Sequence, residues 1–102
     1  MIKNSAKNII EFQDNSILRV MLGVFHKNLE IIEKELKVTL SPRGNIISIN
    51  GNLKNISTNK NILFQLYERA KISEVIEKKD IELIIKNMTN NKKNDFKQNI
   101  NI

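Results

Sequence analysis

Residues that can contact an anion lie at two places in the first half of the chain. The first is a short segment that leads into a predicted helix and contains Gly23, His26, Lys27 and Asn28. The second is Arg43, which belongs to a Pro-Arg-Gly-Asn sequence typical of a tight turn. Lysine and arginine side chains neutralise phosphate, and glycine lets the backbone approach a ligand closely. The chemistry that these residue types predict is therefore phosphate binding, and no catalytic residue is assigned among them.

Each of these residues also has a purely structural interpretation. Gly23 would end the preceding helix as a C-cap glycine, and His26 would be a loop or capping histidine. Lys27 would be an ordinary surface lysine and Arg43 a turn residue. Phe25 lies in the same segment, and although an aromatic ring can stack on a base, we expect it to anchor the segment in the core. The residue types alone leave the structural and functional interpretations open.

Composition excludes several classes of protein. The chain has 102 residues, no cysteine and one histidine, so it has neither a disulfide framework nor the ligands of a zinc site. Its only glycines are Gly23, Gly44 and Gly51, so the phosphate-binding loop Gly-x-x-x-x-Gly-Lys-Ser/Thr cannot be written anywhere in it. No apolar run reaches the ~18 residues of a membrane span. We therefore expect a cytoplasmic protein that is not an enzyme, has no cofactor or metal and does not bind a membrane.

The chain carries an excess of positive charge. Its net charge is +6 and its pI is about 9.7. One interpretation is attraction to the phosphates of a nucleic acid. The other is a lysine-rich surface produced by an A/T-rich coding bias, which the abundance of isoleucine, lysine and asparagine also fits. Charge by itself does not decide between them.

The spacing of apolar residues predicts an α+β fold with a short C-terminal helix. The predicted strands and helices are strand 8–12, helix 17–22, helix 27–36, strand 38–40, strand 45–50, helix 53–71 and a last helix that ends near residue 88. Ser41-Pro42-Arg43-Gly44 has the residue types of a type I turn between the last two strands. A three-stranded, mostly antiparallel sheet with helices on one face is the simplest arrangement. Residues 1–88 would form this domain and 89–102 a flexible polar tail or linker.

Polar residues of the predicted helices carry further expectations. Asn28, in the first turn of the second helix, could bind loop backbone. Glu33 and its neighbouring glutamates lie mostly on the solvent face of that helix. Asn59 falls on the apolar stripe of the third helix. Because a buried asparagine needs hydrogen-bond partners, we expect Asn59 at the edge of the core.

The order β-α-α-β-β-α, with a glycine between the first two helices, resembles a KH domain of the first topological type. In that family a Gly-x-x-Gly loop joins the two helices and clamps the backbone of about four nucleotides. Gly23 matches the first glycine, and His26 stands where the second is expected. The resemblance implies binding of single-stranded RNA by residues 23–28. Lys27 and Arg43 would supply positive charge, and the groove between the second helix and the strand 38–40 would hold bases.

A longer series of motifs covers residues 8–88. In order, they are Phe12, Gly23, Asn28-Leu29, Ile32-Glu33, Arg43-Gly44-Asn45, Ile49, Gly51 and Leu66-Tyr67. This series resembles the N-terminal, KH-like domain of the PhoH family. The departure from the family pattern is His26, where an aspartate cap is usual. The loss of an anionic cap would make the loop more favourable to phosphate.

The PhoH resemblance implies partners as well as a fold. Proteins of that family carry a P-loop ATPase domain after this module and are linked to RNA metabolism and to an endoribonuclease. This chain has no P-loop sequence, so the resemblance implies a domain fragment, a truncated gene or a split arrangement, and no ATP hydrolysis by this polypeptide. The implied partners are single-stranded RNA, a PhoH-type ATPase domain and the endoribonuclease, with the oligomeric state left open.

An alternative function is a protein-interaction domain that positions a PhoH-type ATPase domain without binding nucleic acid itself. The absent glycine at His26 and the glutamate-rich second helix favour it. This alternative predicts an exposed apolar patch, either around Val24 and Phe25 or on the helix 81–88.

Overall fold

The structure, a computed structural model, describes the backbone of residues 5–101 and the side chains of residues 6–89. Its elements are β1 (Ser5–Glu11), α1 (Asn15–Leu22), α2 (Lys27–Leu36), β2 (Thr39–Arg43), β3 (Ile46–Asn52), α3 (Leu53–Ile72) and α4 (Lys78–Asn101). A single 3₁₀ turn, Val24–His26, joins α1 to α2. The predicted α+β fold, with the KH-like order β-α-α-β-β-α and an added C-terminal helix, is confirmed.

The three strands form one antiparallel sheet in the order β1-β3-β2. Side chains alternate between its two faces, so Ile47 and Ile49 of β3 are fully buried while Ser48 between them faces the other side. Helices cover the face that carries these isoleucines. The opposite face carries Lys7, Ile9 and other outward residues of the strands and forms a shallow concavity. The predicted arrangement, with helices on one face of a three-stranded sheet, is confirmed.

Helix α3 lies at the centre of the core. Its fully buried residues Ile62, Leu63 and Leu66 recur at helical spacing and contact a cluster that includes residues of the sheet and of α1. The helix begins at Leu53 because the side chain of Asn52 accepts a hydrogen bond from the backbone N–H of Asn55, at 2.8 Å. Asn52 is therefore the N-cap of α3. No helix in the described part of the chain is long and apolar enough to cross a bilayer.

The hairpin between β2 and β3 turns two residues later than the sequence predicts. Pro42 and Arg43 belong to β2, and Arg43 pairs with Ile46, which leaves Gly44 and Asn45 as a two-residue loop. Gly44 has a φ of 62°, a conformation that glycine adopts without strain. Proline lacks a backbone N–H, but β2 is an edge strand, where that loss is tolerated. Pro42 therefore does not have to occupy the turn, and the predicted type I turn is wrong.

Asn59 is buried, whereas the sequence predicted a position at the edge of the core. It is 0% exposed, and neither of its side-chain polar atoms has a hydrogen-bond partner among the described residues. It lies three residues after Ile56 and four before Leu63, both of which are buried. The period of the helix therefore carries Asn59 inward with its apolar neighbours despite its polarity.

Helix α4 is longer than the short helix that the sequence predicts. Its first part packs in the core through Ile81 and Ile85. Its backbone continues to Asn101, and no glycine or proline interrupts it after Lys78. The side chains from residue 90 onward, and Ile102 altogether, lie outside the described residues. The division into a domain of residues 1–88 and a tail of residues 89–102 therefore stays a prediction.

Candidate nucleic-acid interface

Gly23 ends α1 in a conformation that requires glycine. Its backbone N–H donates to the carbonyl oxygen of Arg19 at 3.1 Å, which closes the last turn of the helix. Its φ of 80° and ψ of 175° lie in a region that residues with a Cβ atom almost never occupy. A Cβ atom at Gly23 would also stand 2.8 Å from Nδ2 of Asn28. Gly23 is thus a C-cap that also leaves room for the side chain of Asn28.

Asn28 fixes the position of the loop through a buried hydrogen bond. Its side chain is buried, and its Nδ2 donates to the carbonyl oxygen of Met21 at 2.9 Å. This bond ties the first turn of α2 to the last turn of α1 and satisfies a helix C-terminal carbonyl. The sequence predicted that Asn28 could bind loop backbone, and the bond formed is to the end of α1. Asn28 is therefore placed to position the loop.

Phe25 and His26 both have left-handed backbone conformations. Their φ angles are 54° and 56° and their ψ angles 30° and 31°. For a residue with a Cβ atom this conformation costs about 1–2 kcal/mol, whereas glycine adopts it freely. His26 stands where a Gly-x-x-Gly loop has its second glycine. The loop therefore has a glycine-like backbone at that position without the glycine.

The sequence predicted that Phe25 would anchor the loop in the core, and this prediction is wrong. Its side chain is 92% exposed and that of Val24 is 74% exposed. The space beneath the loop is taken by the buried side chain of Asn28, and the tight turn leaves Phe25 at its apex. An exposed apolar patch at Val24 and Phe25 is therefore present.

A wide, open cleft of about 810 Å³ lies beside the loop. Its other walls are Arg19 and Val20 of α1 and residues 74–76, which connect α3 to α4. The connection is anchored by the buried side chain of Ile76, while Val75 remains exposed. Arg19 and Lys27 place two positive charges on this cleft, against the one carboxylate of Glu74. The cleft thus combines apolar walls with a net positive charge.

The N-terminus of α2 opens beside the same cleft. The N-cap residue is His26, and its side chain makes no capping hydrogen bond among the described residues. The backbone N–H of Lys27 is used within the 3₁₀ turn, where it donates to the carbonyl oxygen of Val24. The N–H groups that follow carry the positive end of the helix dipole and have no side-chain acceptor from the cap, so this end of α2 favours an anion.

Arg43 lies on a different surface from the other predicted site residues. It lines the concavity on the outer face of the sheet. The hairpin that carries it is tied to the segment between β1 and α1, because Phe12 N–H donates to the carbonyl oxygen of Asn45 at 2.8 Å. The loop follows the other end of α1, about 12 Å further along a helix of this length. The structure therefore brings Gly23, His26, Lys27 and Asn28 together and leaves Arg43 apart.

The side chain of Glu33 spans the groove between α2 and β2, where the sequence predicted that bases would bind. One of its carboxylate oxygens accepts a hydrogen bond from the backbone N–H of Leu40 at 2.7 Å. This bond joins α2 to the edge strand β2, and Glu33 is half-buried rather than on the solvent face as predicted. The bond satisfies a backbone group at the sheet edge, and the carboxylate repels phosphate from the groove. The cleft beside Phe25 is more favourable to a polyanion.

Several residues of the cleft were missed by the sequence reasoning. Arg19 could have been found, since it lies one helical turn before Gly23 on the exposed face of α1. Nothing in the sequence around Val75 indicates that it lines the cleft, because only the packing of the α3–α4 connection brings it beside the loop. Within the described side chains, no group of three or more histidine or acidic residues converges as a metal site would require.

Two solved structures resemble this fold. Dim2p from Pyrococcus horikoshii OT3 superposes with a TM-score of 0.67 and 17% sequence identity, over 82% of this chain and 49% of that one. A protein of unknown function from Aeropyrum pernix superposes with a TM-score of 0.65 and 11% identity, over 94% of this chain and 53% of that one. This chain thus spans about half the length of each.

No protein-family model and no curated protein matches the sequence. At such low identity the two structural likenesses bear on the fold alone. Together with the order and pairing of the strands, they show that the chain has a KH-like α+β fold.

Proposed function

We propose that this chain is a KH-like module that binds single-stranded RNA through the loop between α1 and α2. The observation that carries the proposal is the backbone of His26, which takes a glycine-like conformation where a KH loop has its second glycine. That conformation presents the loop and the uncapped N-terminus of α2 to the same cleft. A phosphate bound there would accept hydrogen bonds from backbone N–H groups.

The charges around the loop support weak and salt-sensitive binding. Lys27 is exposed at the start of α2, and Arg19 lines the same cleft. The side chains of Phe25 and His26 limit how closely a phosphate can approach the backbone, since both have a Cβ where a KH loop favours small residues. The glutamates of α2, of which Glu30 is exposed near the loop, oppose phosphate further along the helix.

The proposal includes a place among PhoH-like proteins. The motif series from Phe12 to Tyr67, which covers most of the folded domain, supports it. In this proposal the module delivers RNA to a PhoH-type ATPase domain that is carried by another segment or another chain, in RNA metabolism that also involves an endoribonuclease. The coding sequence directly after Ile102 tests the first of these arrangements, in which a P-loop in frame is the expected result.

RNA binding is tested by fluorescence anisotropy with a short single-stranded RNA at low salt. Lys27→Glu reverses a charge at the loop and is expected to weaken binding about tenfold, since the loss of one phosphate contact plus repulsion costs about 1.4 kcal/mol. Lys54→Glu is the matched control, because Lys54 is also exposed and lies at the start of another helix, α3. Undetectable binding by the parent protein, or equal weakening by the two variants, would contradict the proposal.

The second candidate function is a protein-interaction domain that positions a PhoH-type ATPase domain. The exposed side chains of Val24 and Phe25 favour it, because apolar groups at a loop apex are suited to bury against a partner. Light scattering of the isolated chain and a pull-down with a separately expressed PhoH-type ATPase domain test it. A strictly monomeric chain that captures no ATPase domain counts against this candidate.

A further inference from the structure

We propose that Phe25 is a stacking platform for an unpaired base and that the cleft beside it receives that base. The inference rests on the proposed RNA binding and names the contact that recognises the ligand. It differs from a Gly-x-x-Gly clamp, which acts through backbone and phosphate, because here the aromatic side chain between the two glycine positions makes the contact.

The residues around Phe25 keep its side chain exposed. Two neighbouring features fix the shape of the turn: the buried hydrogen bond from Asn28 to Met21 and the glycine conformation of Gly23. The left-handed backbone at Phe25 destabilises the folded chain, and a side chain that is 92% exposed offsets almost none of that cost by burial. An exposed aromatic ring at a position with a strained backbone is therefore better explained by a ligand than by stability.

The surroundings of the ring match the chemistry of a nucleotide in a single strand. Val24 and Val75 are exposed and apolar, and they line the cleft next to the ring. Arg19 and Lys27 lie on the same cleft, where they can neutralise the phosphates on either side of a bound base. A base offers an apolar face and is flanked by anionic groups, so it uses both features. In a duplex the base faces are covered by their neighbours, which excludes double-stranded nucleic acid as the ligand.

A substitution of Phe25 distinguishes the contribution of base stacking to RNA affinity from the contribution of charge. Phe25→Ala is expected to weaken binding of a single-stranded oligouridine by about tenfold, since it removes the aromatic face on which a base stacks. Binding of an abasic oligonucleotide with the same backbone should change less than about twofold, because it has no base to stack. Leu53→Ala is the matched control, as it removes another exposed apolar side chain at the start of α3.

A second variant gives a readout that does not depend on loss of affinity. Phe25→Trp keeps an aromatic ring and introduces the only tryptophan in the chain. Its fluorescence should be quenched by the oligouridine and unaffected by the abasic strand, with affinity equal to or above that of the parent. Circular dichroism of both variants should match the parent, because Phe25 contributes little buried surface.

The outcomes distinguish this inference from the proposed function. If Phe25→Ala binds oligouridine as tightly as the parent while Lys27→Glu does not, RNA binding stands and the stacking inference is overturned. If the parent binds neither strand, both are overturned. If Phe25→Ala loses capture of an ATPase domain but not of oligouridine, the ring is a protein contact and the inference is likewise overturned.

Discussion

The residue type at position 26 does not by itself indicate the backbone conformation that His26 adopts. The sequence identifies this position as the one where a KH loop has glycine and this chain does not. The φ of 56° shows that the chain nevertheless keeps the left-handed conformation there. Histidine is one of the residues that tolerate it better than most, so the loop shape persists at a cost in stability.

His26→Gly is expected to stabilise the protein by about 0.5–1 kcal/mol, since removal of the left-handed strain outweighs the greater entropy of glycine in the unfolded chain. It should also tighten RNA binding, because the backbone becomes accessible to phosphate. Urea denaturation and anisotropy measure the two effects. Lys34→Gly, in the right-handed last turn of α2, is the control and should cost about 0.5–1 kcal/mol. A loss of stability in His26→Gly would show that the left-handed conformation is not the native one.

Asn59→Leu is expected to stabilise the protein by about 1–3 kcal/mol. It replaces a fully buried amide that has no hydrogen-bond partner among the described residues with an apolar side chain of similar size. The midpoint of urea unfolding measures the change. Asn61→Leu, at an exposed site on the same helix, should change stability by less than about 0.5 kcal/mol. Destabilisation by Asn59→Leu would mean that the amide is satisfied in solution.

At the scale of elements, the junction of α1 and α2 is the most constrained part of the site. The bond between Asn28 and Met21 joins the two helices, and Gly23 leaves room for it. The two helices therefore present the loop as one unit with a defined shape, rather than as a flexible connection.

Gly23→Ala tests this junction, with Gly44→Ala as its matched control. Both glycines have positive φ, but a Cβ atom at Gly44 would meet nothing within 4 Å, whereas one at Gly23 would collide with Asn28. We expect a cost of about 1 kcal/mol at Gly44 and about 2–4 kcal/mol at Gly23, where strain and the lost hydrogen bond add together. Thermal unfolding measures both, and equal costs would show that the junction tolerates a Cβ.

At the scale of the whole molecule, positive charge is distributed over more than one surface. Lys27 and Arg19 lie on the cleft beside the loop, while Arg43 and Lys7 lie on the outer face of the sheet. The net charge of +6 therefore attracts a polyanion in general, and the cleft has to be identified by local contacts.

The salt dependence of the proposed RNA binding distinguishes these surfaces. For single strands the slope of log K against log salt concentration is about −0.7 per phosphate neutralised, so Lys27→Glu should make the slope less steep by about that amount. Arg43→Glu should leave the slope nearly unchanged, because Arg43 is separated from the cleft. If both variants change the slope equally, the strand extends across the sheet face as well as the loop. Titrations at a series of salt concentrations measure the slopes.

Local sequence patterns were sufficient to predict the elements and their order. The bounds of α2 and the glycine at the end of α1 were predicted correctly, because helix periods and caps depend on residues within one or two turns. The hairpin was misplaced because proline fits both a turn and an edge strand. Which strand lies at the edge depends on pairing along the whole sheet, which local patterns do not specify.

The composition of the site was decided by tertiary packing. The sequence by itself identified the loop from Gly23 to Asn28 and the absent second glycine. Only the structure shows Phe25 exposed, Arg43 on a separate surface and Glu33 across the predicted groove. Each of these outcomes depends on contacts between residues far apart in the chain or on the space that a neighbouring side chain occupies. The sequence therefore determined where the loop lies, and packing determined which of its groups a ligand can reach.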